Sequence, residues 1–481
     1  MKTIRFLSLF GALALGLTGC GDDDGPTPNP DGGSDGGGTD GAVAGNTIVD
    51  IAAGNPDFST LVGALQAAGL DDDLAGEGPF TVFAPTNAAF EALEAIPEGD
   101  ALSQVLQYHV VSGAVRSTDL AEGLNRPLSL NDLTLFVTRS GASVTLNSGV
   151  MVTTADIVAD NGIIHVIDAV LLPPSIVDAA GHAGLTSLLA AATEAGPVEA
   201  LGGATVPEIL SDPTSGLTFT VFAPVNDAFT GLYGALGVDG PADLPDATLQ
   251  GVLFYHVLLN MEVLSSAIPA TARAAAPAPY LASRTGAERL GMNLFFDTTS
   301  GVAINGGSAG EGAFGANVVI ADVRTTNGVV HVIDRVLLPP TIAQVASITP
   351  SLSTLVETVG AAADIPGSPP VSVLAALNNR APGTNLTVFA PTNDAFTAAA
   401  DALDGASADA VRDVLLYHVI GSAVISADLE NGDVETLNGA DVTIDADATP
   451  PTVNDAGITA VDIVTGNGVV HVIDAVLLPP T

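Results

Sequence analysis

The chain has 481 residues, enough for about three ordinary domains that each bury a core of their own. With 47% apolar and only 14% charged residues it is excluded from the disordered class over most of its length, although 53 Gly and 31 Pro announce many turns. Twelve basic residues against 54 acidic ones give a net charge of −42, which argues against nucleic acid as a partner, and equally against a basic contact with anionic lipid.

The first segment reads as an address. Lys2, the only lysine, and Arg5 precede a twelve-residue apolar stretch, Phe6 to Leu17, which is too short to span a bilayer. Leu17-Thr18-Gly19-Cys20 follows and resembles the lipobox of bacterial lipoproteins. Cys20 is the sole cysteine and cannot form an internal disulfide, so an ordinary signal peptide or an intermolecular bridge are the alternatives. The resemblance implies cleavage after residue 19, lipidation of Cys20, and anchorage in the bacterial cell envelope, at the outer membrane or cell surface. Cleavage leaves a charge of 10 − 54 = −44.

Residues 20–45 are Gly, Asp, Pro, Ser and Thr with almost no apolar side chain, a composition that cannot offset its own ordering entropy. As a flexible tether it reaches about 25 to 30 Å. Its aspartates do not follow the spacing of a calcium loop.

From residue 46 onward the chain repeats itself three times. The run Thr81-Val82-Phe83-Ala84-Pro85-Thr86-Asn87 returns from Thr220 and from Thr387, at spacings of 220 − 81 = 139 and 387 − 220 = 167. A Tyr-His pair follows each copy, at Tyr108-His109, Tyr255-His256 and Tyr417-His418. Each unit closes on Asn-Gly-x-x-His-Val-Ile-Asp, beginning at Asn161, Asn327 and Asn467, and runs on into Val-Leu-Leu-Pro-Pro. Periods this long are whole domains, assigned to 46–174, 175–340 and 341–481.

Within a unit, Thr81 to Phe83 is a β-prone run stopped by Pro85. A helix follows, with Asn87, Asn226 and Asn393 predicted as N-caps because Val225 replaces Thr86 in the second copy, and with Phe90 and Leu93 on its inner face. Leu102, Val105 and Leu106 mark a second helix before the tyrosine. Then the period changes to two, with turn signals at Ser140-Gly141, Ser148-Gly149 and Asn161-Gly162. The predicted class is α+β, helices first and a mainly antiparallel sheet second.

These three ordered motifs, recurring three times, resemble the fasciclin (FAS1) domain family. The resemblance implies three tandem FAS1 domains, each a wedge-shaped β-sandwich with helices packed along one side. It also implies cell-surface or matrix arrays that work in adhesion, with no enzymatic activity.

The histidines at 109, 165, 256, 331, 418 and 471, with Asp168, Asp334 and Asp474 nearby, raise a hydrolase or a metal site. On an extended strand His165 and Asp168 point to opposite faces, and no nucleophile elbow, zinc helix, phosphate loop or dinucleotide fingerprint is present. Core histidines bonded to backbone or carboxylate are the expectation, with no catalytic residue, metal or cofactor. The resemblance offers the Tyr-His pairs as adhesion contacts, although neighbours on a strand diverge, so at least one of each pair should be structural. It also offers Asp156-Ile157 and Asp462-Ile463, which match an Asp-Ile pair tied to integrin binding in animal members; the second copy has Asp322-Val323.

The second domain carries about twenty extra residues between Ile268 and Gly291, with Arg273, Arg284 and Arg289 as candidate contacts for anionic polysaccharide. The expected function is membrane-anchored adhesion or matrix interaction, with a surface or matrix protein or polysaccharide as partner and the membrane reached through Cys20. The alternative is a carbohydrate- or small-ligand-binding lipoprotein acting through one domain.

Overall fold

The computed structural model describes residues 46–199, 202–212, 214–268, 274–278, 292–299, 301–307, 314–363, 373–379 and 385–480. Cys20, the leader, the tether, and Arg273, Arg284 and Arg289 lie outside them. Among the described residues no helix is long and apolar enough to cross a membrane.

The first domain opens with helices α1 (Ile48–Ala53), α2 (Ser59–Ala68) and α3 (Asp71–Ala75). Strand β1 (Phe80–Pro85) leads to α4 (Asn87–Glu91) and α5 (Asp100–Tyr108), and six strands complete the unit: β2 (Val110–Ser112), β3 (Gly123–Asn125), β4 (Val137–Ser140), β5 (Ser143–Leu146), β6 (Val150–Ala159) and β7 (Gly162–Ile167). The sheet order is β2-β1-β7-β6-β5-β4-β3, and the same seven-strand order recurs in the second and third domains. All neighbours are antiparallel except β1 and β7, which pair in parallel from Phe80↔Gly162 to Pro85↔Ile167. The first and last motifs of the repeat are therefore adjacent strands, a pairing that the antiparallel expectation did not contain.

Two register shifts bend β6, between Val152 and Thr154 and between Thr154 and Ile157. The bend folds the sheet over a core in which Phe83 and Ile167 meet Leu135, Val137, Val144 and Leu146. Side chains one residue along each strand point the other way: Val82, Ala84, Ile164 and Val166 pack beneath Leu61, Leu65, Leu102 and Leu106 of the helices. Each domain is thus a β-sandwich with a helical layer on one side.

The predicted helix after Pro85 is shorter than expected. In the first copy it ends at Glu91, so Leu93 packs from beyond it. Its N-cap is Thr86, whose hydroxyl accepts the Ala89 N–H, not Asn87. Thr392 does the same in the third copy, while Val225 leaves the second helix without a side-chain cap. The asparagine caps a different helix: Asn87 Oδ1 accepts the Thr60 N–H at the start of α2, and Nδ2 donates to Pro56 O. Asn226 and Asn393 repeat this with Ser187 and Thr354.

From Asn46 onward the chain forms one compact unit, because each domain is seated on the next. Phe136 of the first domain lies in a core with Ile176, Ala179, Ala180 and Val323 of the second. Thr134 N donates to Arg324 O at 3.0 Å, and Arg324 N to Thr134 Oγ1 at 2.9 Å. Phe295 of the second domain meets Val345, Ile348 and Ile463 of the third in the same way.

Candidate functional site

The repeated polar residues form one network per domain. Thr81 Oγ1 donates to Gly113 O at 2.6 Å and accepts Val115 N at 2.8 Å, which pins the chain after β2. Val115 O accepts from His165 Nε2 at 3.0 Å, and His165 Nδ1 accepts the Asp156 N–H at 3.2 Å. The ring stacks on Phe83 with centroids 5.4 Å apart. His331 bonds Val263 O and Asp322 N and stacks on Phe222; His471 bonds Val424 O and Asp462 N and stacks on Phe389.

The Tyr-His pairs are not on a strand. Tyr108 is the last residue of α5 and His109 its C-cap. His109 Nδ1 donates to Val105 O at 2.7 Å, and Nε2 accepts the Leu171 N–H at 2.9 Å. His256 makes the same bonds to Val252 and Leu337, and His418 to Val414 and Leu477. The second motif thus holds the Val-Leu-Leu-Pro-Pro tail of the third by its backbone. Tyr108 Oη donates to Thr134 O at 2.9 Å and is bonded by Asn147; Tyr255 with Asn305, and Tyr417 with Asn454, repeat the pattern. All three pairs are buried, so none of the six side chains expected as adhesion contacts lies at the surface of the folded domains. Helix C-capping and burial of the phenol account for both members.

Burial pulls the His109, His256 and His418 rings down to about 4, against the backbone bonds that favour the charged form. Burial lowers His165, His331 and His471 as well, partly opposed by their backbone bonds and by Asp156, Asp322 and Asp462. These rings are neutral, with one nitrogen donating and the other accepting.

Asp156 sits at φ 62°, inside the bend of β6, and Asp322 and Asp462 match it at 58° and 59°. The Asp156 carboxylate accepts Ser117 N at 2.7 Å and Ser117 Oγ at 2.6 Å. Asp322 holds Ser265 in this way, and Asp462 holds Ser426. Burial pushes the Asp156 carboxyl up, but the two Ser117 bonds, with His165 and Arg116, outweigh it and leave the acid lowered.

Ser117, Asp156 and His165 are the residue types of a hydrolase triad, brought together by the fold and absent as a group from the sequence reading. Their bonding is not that of a triad. The hydroxyl donates to the carboxylate, and the imidazole lone pair is taken by a backbone N–H, which leaves no base for a nucleophile. Among the described residues no group of three or more His, Cys, Asp or Glu is placed to hold a metal ion.

The Asp-Ile positions separate by location. Ile463 lies in the second seam beside Phe295, and Val323, at the matching position, lies buried in the first seam. Ile157 lies in neither seam and is half-buried against the helical core of the first domain. A cleft of about 760 Å³ opens beside the second seam, lined by Asn293, Phe295, Asp297, Ser351, Thr392 and Val461 among others.

Residues 56–173, 183–339 and 371–479 match the Fasciclin domain family, and the chain belongs to it. Protein sll1483 of Synechocystis is 48% identical over 136 residues, 27% of this chain and 74% of that protein. The transforming growth factor-beta-induced protein ig-h3 of Sus scrofa is 27% identical over 454 residues; that is 90% of this chain, which spans only 58% of the relative. Cell surface glycolipoprotein MPB83 of Mycobacterium bovis is 36% identical over 149 residues, 28% of this chain and 66% of that protein. A solved FAS1 domain pair from the insect cell adhesion molecule Fasciclin I covers 59% of this chain and 97% of its own, with a TM-score of 0.35 at 18% identity.

Proposed function

We propose that this chain is an adhesion or matrix-interaction protein held at the bacterial surface through Cys20, with three FAS1 modules acting together as a contact array and not as an enzyme. The observation that carries this reading is the consumption of the repeated imidazoles: in all three copies both nitrogens of the two repeated rings are bonded to backbone, so none of these six rings is left as a base for chemistry. Three modules joined by seams present their surfaces together, which converts weak contacts into avidity. The likeness to a cell surface glycolipoprotein supports the location.

Cells making the chain, cells lacking it and cells making Cys20→Ala are compared for membrane retention and for attachment to matrix-coated surfaces. The variant is expected in the soluble fraction, with attachment falling to the level of cells that lack the chain. Retention of Cys20→Ala in the membrane fraction contradicts the anchor, and equal attachment with and without the chain contradicts the adhesive role.

A further inference from the structure

The two seams reuse one surface. Its receiving side is the first helix of the later domain, Ile176–His182 or Ile342–Ile348, with the bent strand running past it at Val323-Arg324 or Ile463-Val464. Its giving side is one phenylalanine, Phe136 or Phe295, each buried. The giving position is fixed by bonding: Phe136 N donates to Asn147 Oδ1 and Phe136 O accepts Asn147 N, and Phe295 does both with Asn305. In the third domain Asn454 makes the same two bonds to Thr443. Thr443 is exposed and its hydroxyl donates to Asp433 at 2.6 Å, so the final domain gives no apolar knob.

The first domain has the converse asymmetry. Its receiving face is apolar, with Ile51 and Ile157 half-buried, and among the described residues neither of the other two domains packs on it. Val158 is 58% exposed, whereas Val464, its counterpart in the third domain, is 9% exposed beneath the second. We infer that the Ile51, Ile157 and Val158 face of the first domain is a docking surface for a phenylalanine-bearing hairpin of another polypeptide with this same fold, and that Thr443 prevents the third domain of a second copy from filling that face.

Continuity with the two seams argues for this occupant, since both matching faces in the chain are filled by such a hairpin. A head-to-tail contact with matching ends repeats from copy to copy, and it strings copies into filaments where its rotation does not close a ring. A polar residue at the third giving position, Thr443, stops that growth. The inference goes beyond adhesion by the array and does not depend on it: attachment through other surfaces would survive its failure.

The test is sedimentation velocity on the full chain carrying Cys20→Ser, so that an acyl group cannot contribute, over a concentration series. The parent is expected to stay monomeric. Thr443→Phe is expected to assemble into chains that lengthen with concentration, and Val158→Asp added to it is expected to restore the monomer. Circular dichroism checks folding, and Thr443→Leu replaces the phenylalanine variant if that one does not fold. A monomeric, folded Thr443→Phe or Thr443→Leu overturns the docking face, as does assembly that survives Val158→Asp. Self-assembly of the parent overturns the role of Thr443.

Discussion

The rings of Phe136 and His182 face each other across the first seam, 5.4 Å between centroids and tilted by 57°. Phe136 is 1% exposed, although it belongs to one domain and most of its neighbours to the next. Truncation of a buried phenylalanine costs about 3 to 5 kcal/mol. Phe136→Ala is expected to uncouple the first domain, so that scanning calorimetry shows its melting separate from the other two. Phe295→Ala should release the third domain in the same manner. A single unsplit transition in both variants would show that the seams do not couple the domains.

The imidazole at the end of α5 ties two motifs together through Leu171. His109→Phe keeps the bulk and removes both bonds, leaving the Leu171 N–H buried without its partner, at a cost of about 1 to 3 kcal/mol. The expected result is a lower melting temperature with unchanged attachment per folded molecule at a temperature well below the transition. Lost attachment with unaltered melting would assign the ring a direct role.

Acid should weaken the fold before the carboxylates matter. In the unfolded chain these rings take up protons as pH falls below 6.5, whereas the folded His109, His256 and His418 resist until about 4. The unfolded state therefore binds more protons between those values, and stability declines as pH falls through that window and levels off below it. Each ring contributes roughly 3 kcal/mol at most to the decline. The lowered Asp156 acts at more acidic pH: its contribution is present above 3.8 and is lost as pH falls through the folded value. Urea denaturation as a function of pH measures both, and a flat midpoint between pH 6.5 and 4 would contradict the assigned neutral rings.

Gly162 is set by close approach and not by a turn. A Cβ there would stand 2.0 Å from Phe80 O, and the same contact awaits at Gly328 with Phe219 O and at Gly468 with Leu386 O. Gly162→Ala must part β1 from β7, and overpacking of that kind costs about 3 kcal/mol. Chemical denaturation should show it. An unaffected midpoint would mean that the parallel pair yields easily.

Much of this was legible in the sequence, and the failures share one cause. Three copies, α+β class and core histidines follow from period and spacing, because those are local properties. Val225 in place of Thr86 points to the asparagine as the cap, and Asn87 does cap a helix, but that helix is α2, reached only after folding. Asn161-Gly162 signals a hairpin, and β6 and β7 do form one, yet the asparagine side chain also holds Ile48 N and Leu74 O of the helical layer, more than eighty residues away. Leu102, Val105 and Leu106 mark the helix before the Tyr-His pair, but nothing local shows that this helix runs on to include Tyr108 and is capped by His109. Ser117 was invisible as a partner of Asp156, since 39 residues separate them.

The direct measurement is nitrogen-15 NMR of the histidine side chains across about pH 5 to pH 8. The account predicts six rings, those of His109, His165, His256, His331, His418 and His471, each in a single tautomer when neutral, Nδ1–H for the three after the tyrosines and Nε2–H for the three in the final strands, with His109, His256 and His418 not titrating in that range and the other three shifted below 6.5. Titration of the repeated rings near 6.5, or exchange between tautomers, would contradict it.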